Sequence, residues 1–153
     1  MRIWICFRRI YIFCTLVLFL ILALYGITYS EQVTITTLTE NSVAMPCLNA
    51  EFGVSVLIET KNQNILFDTG FTTTCIHNAN ILGKDLSKIN KIILSHGHID
   101  HTGGLRLILK SINKNFLSQP PRKIEIIVHP AIWGHKYNCS SGREIYIGMS
   151  YPR

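Results

Sequence analysis

The densest group of side chains able to do chemistry lies between Ser95 and Gly104, where the sequence reads S-H-G-H-I-D-H-T-G-G. His96, His98, Asp100 and His101 supply nitrogen and oxygen donors, which zinc and similar divalent metals accept. In an extended turn His96 and His98 project to the same side and can hold one metal. Asp100 and His101, further around the bend, can address a second metal nearby, and Asp100 is also the predicted catalytic residue.

Two zinc ions at such a loop would share a water molecule, lower its pKa and stabilise the oxygen of an attacked acyl or phosphoryl group. The motif therefore predicts a metal-dependent hydrolase or transferase. The alternative is a histidine-rich turn that only precedes a helix. Packing alone rarely explains four metal-ligating residue types so close together at the end of a strand.

The surrounding pattern predicts the elements that would position this loop. Short runs of β-branched or apolar residues predict strands, and apolar positions at helical spacing predict helices. The predicted strands are Val33–Leu38, Val54–Glu59, Ile65–Phe67, Lys91–Leu94 and Ile124–Val128. The predicted helices are Thr72–Leu82 and a second one, capped by Thr102, that contains Leu105–Ile112. This order indicates an α/β layered domain whose site lies at the carboxyl end of a strand.

The motif H-G-H-I-D-H-T-G-G resembles the signature of the metallo-β-lactamase superfamily, and L-F-D-T-G at Leu66–Gly70 resembles its upstream aspartate motif. The resemblance implies a partial αββα sandwich, its first βα half. It also implies that His96 and His98 ligate the first metal and Asp100 and His101 the second. Asp68 would then hold the histidine loop in place from behind the ligands.

A closer resemblance is to the dihydropterin ribofuranosylaminobenzene phosphate synthase-like branch of that superfamily. It rests on A-E-F-G-V-S-V-L-I-E-T at Ala50–Thr60, N-A-N-I-L-G-K-D-L at Asn78–Leu86, H-P at His129 and Y-I-G-M at Tyr146–Met149. The branch implies a pterin-type or phosphorylated ribosyl substrate. Phe52 departs from it, because histidine is common at that position.

The resemblance also predicts which ligands a complete site would need. The superfamily closes its metal site with a later histidine, a bridging acidic residue or cysteine, and a final histidine, and no such motif follows His101. We therefore expect residues 31–153 to be one domain of this type, truncated at its carboxyl end. His129 is a weak candidate for the missing ligand, while His77, His135 and Glu51 are expected to be surface residues.

The first thirty residues predict a separate segment. Ile10–Ile27 is apolar apart from Thr15 and follows Arg2, Arg8 and Arg9, as in a signal peptide or a transmembrane anchor. At about 1.5 Å per residue such a run would cross a hydrocarbon core of about 30 Å. The arginines predict a cytoplasmic amino terminus. A membrane partner through residues 10–27 and a membrane-anchored or secreted domain outside the cytoplasm are thus predicted.

The composition limits the classes of partner that the protein is expected to bind. The net charge of +6 comes from 15 Lys and Arg against 9 Asp and Glu, without the basic run interleaved with aromatic residues that a nucleic-acid site needs. We expect no nucleic acid and a small, anionic substrate steered by the positive field. Cys47, Cys75 and Cys139 lack metal or redox spacing and are expected to be unpaired.

The sequence thus predicts a dinuclear zinc hydrolase-like or transferase-like protein that acts on an anionic, phosphorylated or pterin-type small molecule. One alternative is a truncated, catalytically incompetent, membrane-tethered metal-binding fragment. Another is that a second chain, or a second copy in an oligomer, completes the sheet.

Overall fold

The computed structural model describes residues 13, 15–19, 31–113, 123–139 and 142–149. The chain divides into two compact units, Met1–Glu31 and Gln32–Arg153. In the first unit, residues 13 and 15–19 are α-helical. All strands described below belong to the second unit.

The second unit contains a five-stranded sheet with strands in the order β1-β2-β3-β4-β5. Strands β1, β2 and β3 are antiparallel neighbours, whereas β3, β4 and β5 run parallel. The strands are β1 Thr34–Thr39, β2 Ser55–Glu59, β3 Asn64–Phe67, β4 Lys91–Leu94 and β5 Glu125–Val128. Strands β2 and β3 form an antiparallel hairpin, and the predicted α/β class is confirmed.

Helices follow the strands as expected of an α/β chain. Helix α1 is Thr74–Ile81, a single turn α2 is Ile99–Thr102, and α3 is Leu105–Ile112. Short 3₁₀ turns lie at Leu86–Lys88 and Pro130–Trp133. The antiparallel strands β6, Tyr137–Asn138, and β7, Ile145–Tyr146, form a small separate hairpin.

One face of the sheet forms the core. Leu57, Leu66 and Ile92 lie in register on β2, β3 and β4, and each is at most 1% exposed. Leu105 and Ile108 of α3 belong to the same buried cluster. Because side chains alternate along a strand, the apolar residues next to each of these three along its own strand lie on the opposite, less buried face.

The predicted cap of the second helix is wrong in one respect. Thr102 ends α2 rather than starting α3, and its hydroxyl donates to the carbonyl of His98 at 2.9 Å. Gly104 is the residue that precedes α3, and it offers no side-chain cap. The reason is that the histidine motif itself winds into a helical turn before α3 begins.

The predicted membrane-anchored or exported location is also corrected. Within the parts of the chain that the structure describes, no helix is both long and apolar enough to cross a bilayer, a crossing that takes about 20 apolar residues. Of the span predicted at residues 10–27, positions 13 and 15–19 are described. The remaining positions of that span lie outside the described residues.

Candidate metal centre

The histidine loop begins where β4 ends at Leu94 and runs into α2. Gly97 lets the loop pass close to a neighbouring segment, because a Cβ at that position would lie 2.4 Å from the carbonyl oxygen of Ile132. On its other side the loop pairs with the chain beyond β7. His98 forms a β-bridge with Gly148, and the Ile99 amide donates to the carbonyl of Ile147 at 2.8 Å.

Asp68 holds the histidine loop through hydrogen bonds to Ser95 and His101. It directly follows β3, is 0% exposed and has a left-handed φ of 55°. Its Oδ1 accepts the amide of Ser95 at 2.8 Å, and its Oδ2 accepts the hydroxyl of Ser95 at 2.6 Å. The same Oδ2 lies 2.7 Å from Nδ1 of His101. Since an ionised carboxylate can only accept, Nδ1 of His101 is the donor in this contact. When the ring is neutral, the lone pair is then on Nε2.

The backbone of His101 is fixed as well. Its carbonyl oxygen accepts both the amide and the hydroxyl of Thr69, each at 2.9 Å. Asp68 and Thr69, adjacent at the end of β3, therefore hold His101 by its ring and by its main chain. The parallel pairing of β3 and β4 makes this possible, because it brings the carboxyl ends of the two strands to the same edge of the sheet.

The other loop side chains lie against one another. Nε2 of His96 is 3.0 Å from Nδ1 of His98, and the ring centroids of His96 and His101 are 4.1 Å apart. Oδ2 of Asp100 lies 3.3 Å from Nε2 of His101. The structure thus brings together the four predicted ligands and Asp68.

Electrostatics favour the neutral form of His96. Its burial lowers its pKa from the ordinary value, and the positive charge that His101 and His98 would carry lowers it further. A neutral imidazole nitrogen is the form that binds a metal.

The donor chemistry of the loop fits a divalent metal, since imidazole nitrogens and a carboxylate converge there. Their geometry is that of a hydrogen-bonded cluster, and among the described residues no three His, Cys, Asp or Glu side chains are arranged as a metal cage. Nε2 of His96 and Nδ1 of His98 are the two ring nitrogens that face each other in this cluster.

The remaining histidines have local roles. Nδ1 of His129 accepts the amide of Ala131 at 3.1 Å and so caps the 3₁₀ turn that begins at Pro130. Nε2 of His77 lies 2.9 Å from the carbonyl of Cys47. His77 and His135 are exposed, as predicted for surface residues.

Two residues near the site were not singled out as structural from the sequence. Ser95 joins Asp68 to the loop, and its hydroxyl also lies 2.9 Å from Nδ1 of His96. Glu51, expected to be a solvent residue, is half-buried and accepts the amides of Phe71 and Thr72 at 2.9 and 3.2 Å. A hydroxyl immediately before the histidines was the available signal for Ser95, whereas Glu51 acts across twenty residues and no local pattern marks it.

Comparison with known proteins supports the α/β fold. The sequence profile of the metallo-beta-lactamase superfamily matches residues 48–123. A crystal structure of a metal-dependent hydrolase of the beta-lactamase superfamily superposes with a TM-score of 0.54 and 29% identity, covering 77% of this chain and 37% of that chain.

Two curated relatives also match. The 7,8-dihydropterin-6-methyl-4-(beta-D-ribofuranosyl)-aminobenzene-5'-phosphate synthase of Methanocaldococcus jannaschii is 39% identical over 89 residues, which are 55% of this chain and 28% of that protein. Competence protein ComA of Neisseria gonorrhoeae is 33% identical over 96 residues, 60% of this chain and 14% of that protein. The chain therefore spans less than a third of the length of either relative.

Proposed function

Because the chain belongs to the metallo-β-lactamase superfamily, we propose that its histidine loop binds divalent metal, zinc in the first instance, and serves hydrolysis or group transfer on a small molecule. The observation that carries this proposal is the convergence of His96, His98 and His101 with Asp100 at the end of β4. Metals bound there would supply Lewis acidity and a more acidic water.

The residues divide into two roles. His96 and His98 would hold the first metal, and Asp100 and His101 the second. Asp68 would act through His101 and Ser95, because its carboxylate accepts from Nδ1 of His101 and from the amide and hydroxyl of Ser95. In metal sites such a carboxylate partner orients the imidazole and increases its basicity.

For the substrate we propose an oxygen-rich, anionic group at the reacting end and a pterin-type or similar ring in the remainder. The net charge of +6 supports the anionic end, since a positive field attracts such molecules. The name of the relative from Methanocaldococcus jannaschii supports the pterin-type ring.

A second candidate is a metal-binding protein without turnover. It is favoured by one observation, the absence of a formed cage of three ligating side chains among the described residues. Zinc held by a few loop residues alone would be bound weakly. Measured zinc affinity together with hydrolytic rate separates the two candidates.

The test is zinc binding by the full chain, by His98→Ala and by His77→Ala. Calorimetric titration should show zinc binding in the unchanged chain, a loss of about 100-fold or more in His98→Ala, and no change in His77→Ala, an exposed histidine outside the loop. Rates of hydrolysis of a phosphodiester, a lactone and a pterin phosphate are then compared. Equal zinc affinity in all three proteins would overturn the metal assignment.

A further inference from the structure

An open cavity of about 430 Å³ adjoins the histidine loop. Two segments of the β1–β2 connection, residues 40–42 and 52–54, form its walls, and Asp100 and His101 form the side shared with the loop. A molecule that reacts at the loop would therefore have room for a non-reacting end in this cavity. Its volume is within the range of small-molecule sites, about 300–1,000 Å³.

The walls of the cavity are held together by hydrogen bonds. The amide of Gly53 donates to Oδ1 of Asn41 at 3.1 Å, and the amide of Glu51 donates to the carbonyl of Glu40 at 3.1 Å. Gly53 has a φ of 125°, and a Cβ there would lie 2.1 Å from the carbonyl oxygen of Asp100. Only glycine permits this close approach, which joins the wall directly to the loop.

The charged lining of the cavity is acidic, whereas the protein as a whole has a net positive charge. The acidic side chains of Glu40 and Asp100 line the cavity, together with Asn41 and Ser42, and none of its described lining residues is Lys or Arg. Phe52 stands at the wall with 70% of its surface exposed. The cavity thus offers hydrogen-bond acceptors and one aromatic face, and its described lining carries no Lys or Arg.

We propose that this cavity binds the non-reacting end of the substrate, and that this end is a flat group with N–H donors and a neutral or positive charge. Glu40 accepts its N–H groups, and the ring of Phe52 stacks on its face. The carboxylate of Glu40 repels a negative group, so the anionic part of the substrate lies at the reacting end, at the loop. The inference rests on the proposed function, because it takes the loop as the reaction site.

Benzamidine and benzoate are suitable probes, since they share a ring and size but carry opposite charges. Each is titrated into the metal-free full chain, and the amide resonances of Gly53 and Val54 are followed by NMR. Benzamidine should shift these resonances and bind at least about tenfold more tightly than benzoate.

Glu40→Gln should weaken benzamidine about two- to fivefold, as expected for an exposed ion pair. Phe52→Ala should weaken it about three- to tenfold through lost stacking. Glu144→Gln and Trp133→Ala change an exposed acid and an exposed aromatic ring outside the cavity lining, and they should leave the affinity unchanged.

Equal affinities for benzoate and benzamidine, binding that survives both cavity substitutions, or no shift of the two amides with either probe would each overturn the inference. Zinc titration of the same samples keeps it separate from the proposed function. Loss of zinc binding with benzamidine binding intact would contradict the metal assignment alone. Normal zinc binding without benzamidine binding would contradict the cavity assignment alone.

Discussion

His101 and His98 lie in the same loop but are held in different ways. The ring of His101 donates to the buried carboxylate of Asp68, and its carbonyl accepts two hydrogen bonds from Thr69. The ring of His98 is instead 3.0 Å from another imidazole, that of His96. The backbone of His98 is also well bonded, because it forms a β-bridge with Gly148 and its carbonyl accepts the hydroxyl of Thr102. The two histidines therefore differ in how their rings are held: a buried carboxylate fixes the ring of His101, whereas the ring of His98 lies against another imidazole.

The substitution Asp68→Ala should have the largest effect on the free energy of unfolding. It removes the acceptor of the Ser95 amide, the Ser95 hydroxyl and the His101 ring. Because Asp68 is fully buried, the free energy of unfolding should fall by about 3–5 kcal/mol. Urea denaturation of the metal-free chain measures this.

His98→Ala is the counterpart, because it removes the imidazole contact with His96 and keeps the backbone bonds of residue 98. The free energy of unfolding should fall by less than about 1 kcal/mol. If His98→Ala destabilised the chain as much as Asp68→Ala, the contrast between the two rings would not exist.

Ser95→Ala should have an intermediate effect. The hydroxyl contact to Asp68 at 2.6 Å and the contact to His96 at 2.9 Å are lost, while the amide of residue 95 still donates to Asp68. A decrease of about 1–2 kcal/mol in the free energy of unfolding is expected. Ser87→Ala is the control, because it removes an exposed hydroxyl that donates to Oδ1 of Asp85. It should have a smaller effect on the free energy of unfolding. A Ser95→Ala chain as stable as the unchanged one would show that the amide alone holds the loop.

A change of pH should produce the smallest effect. Burial, then the charges of His101 and His98, lower the pKa of His96 below its ordinary value of about 6.5. The unfolded chain therefore binds this proton more readily, so the contribution of His96 to stability is present above pH 6.5 and is lost as the pH falls through the lowered pKa. The urea midpoint of the metal-free chain should be lower at pH 5 than at pH 7.

His96→Gln should reduce that pH-dependent difference, because glutamine does not titrate. Other groups titrate between pH 5 and pH 7, so the difference between the two chains is the informative quantity. An identical pH dependence in the two chains would show that the pKa of His96 is the same in the folded and unfolded states.

Much of the sheet could be predicted from the sequence. The strands at Ile65–Phe67 and Lys91–Leu94 differ from the observed β3 and β4 by at most one residue, because apolar runs bounded by turn residues are local signals. The exact start of α3 could not be predicted. Thr102 is a good cap by residue type, but its hydroxyl is used within α2.

Local sequence patterns also could not predict the contacts of Glu51 or the β-bridge between His98 and Gly148. Each joins residues that are far apart in the chain, at positions set by how the connections fold over the sheet. The hairpin of β6 and β7 arose from a region with a weak sequence pattern, since two-residue strands are too short to show alternation.

The sequence by itself determined the donor set of the loop and the order of β1 to β5, α1 and α3, since residue types and short periodicities are local properties. Only the tertiary structure decided that Asp68 meets Ser95 across 27 positions, and that Phe52 and Glu40 share a cavity with His101. The physical reason is that these contacts depend on the register of β3 against β4 and on the path of the β1–β2 connection. Neither follows from the spacing of residues along the chain.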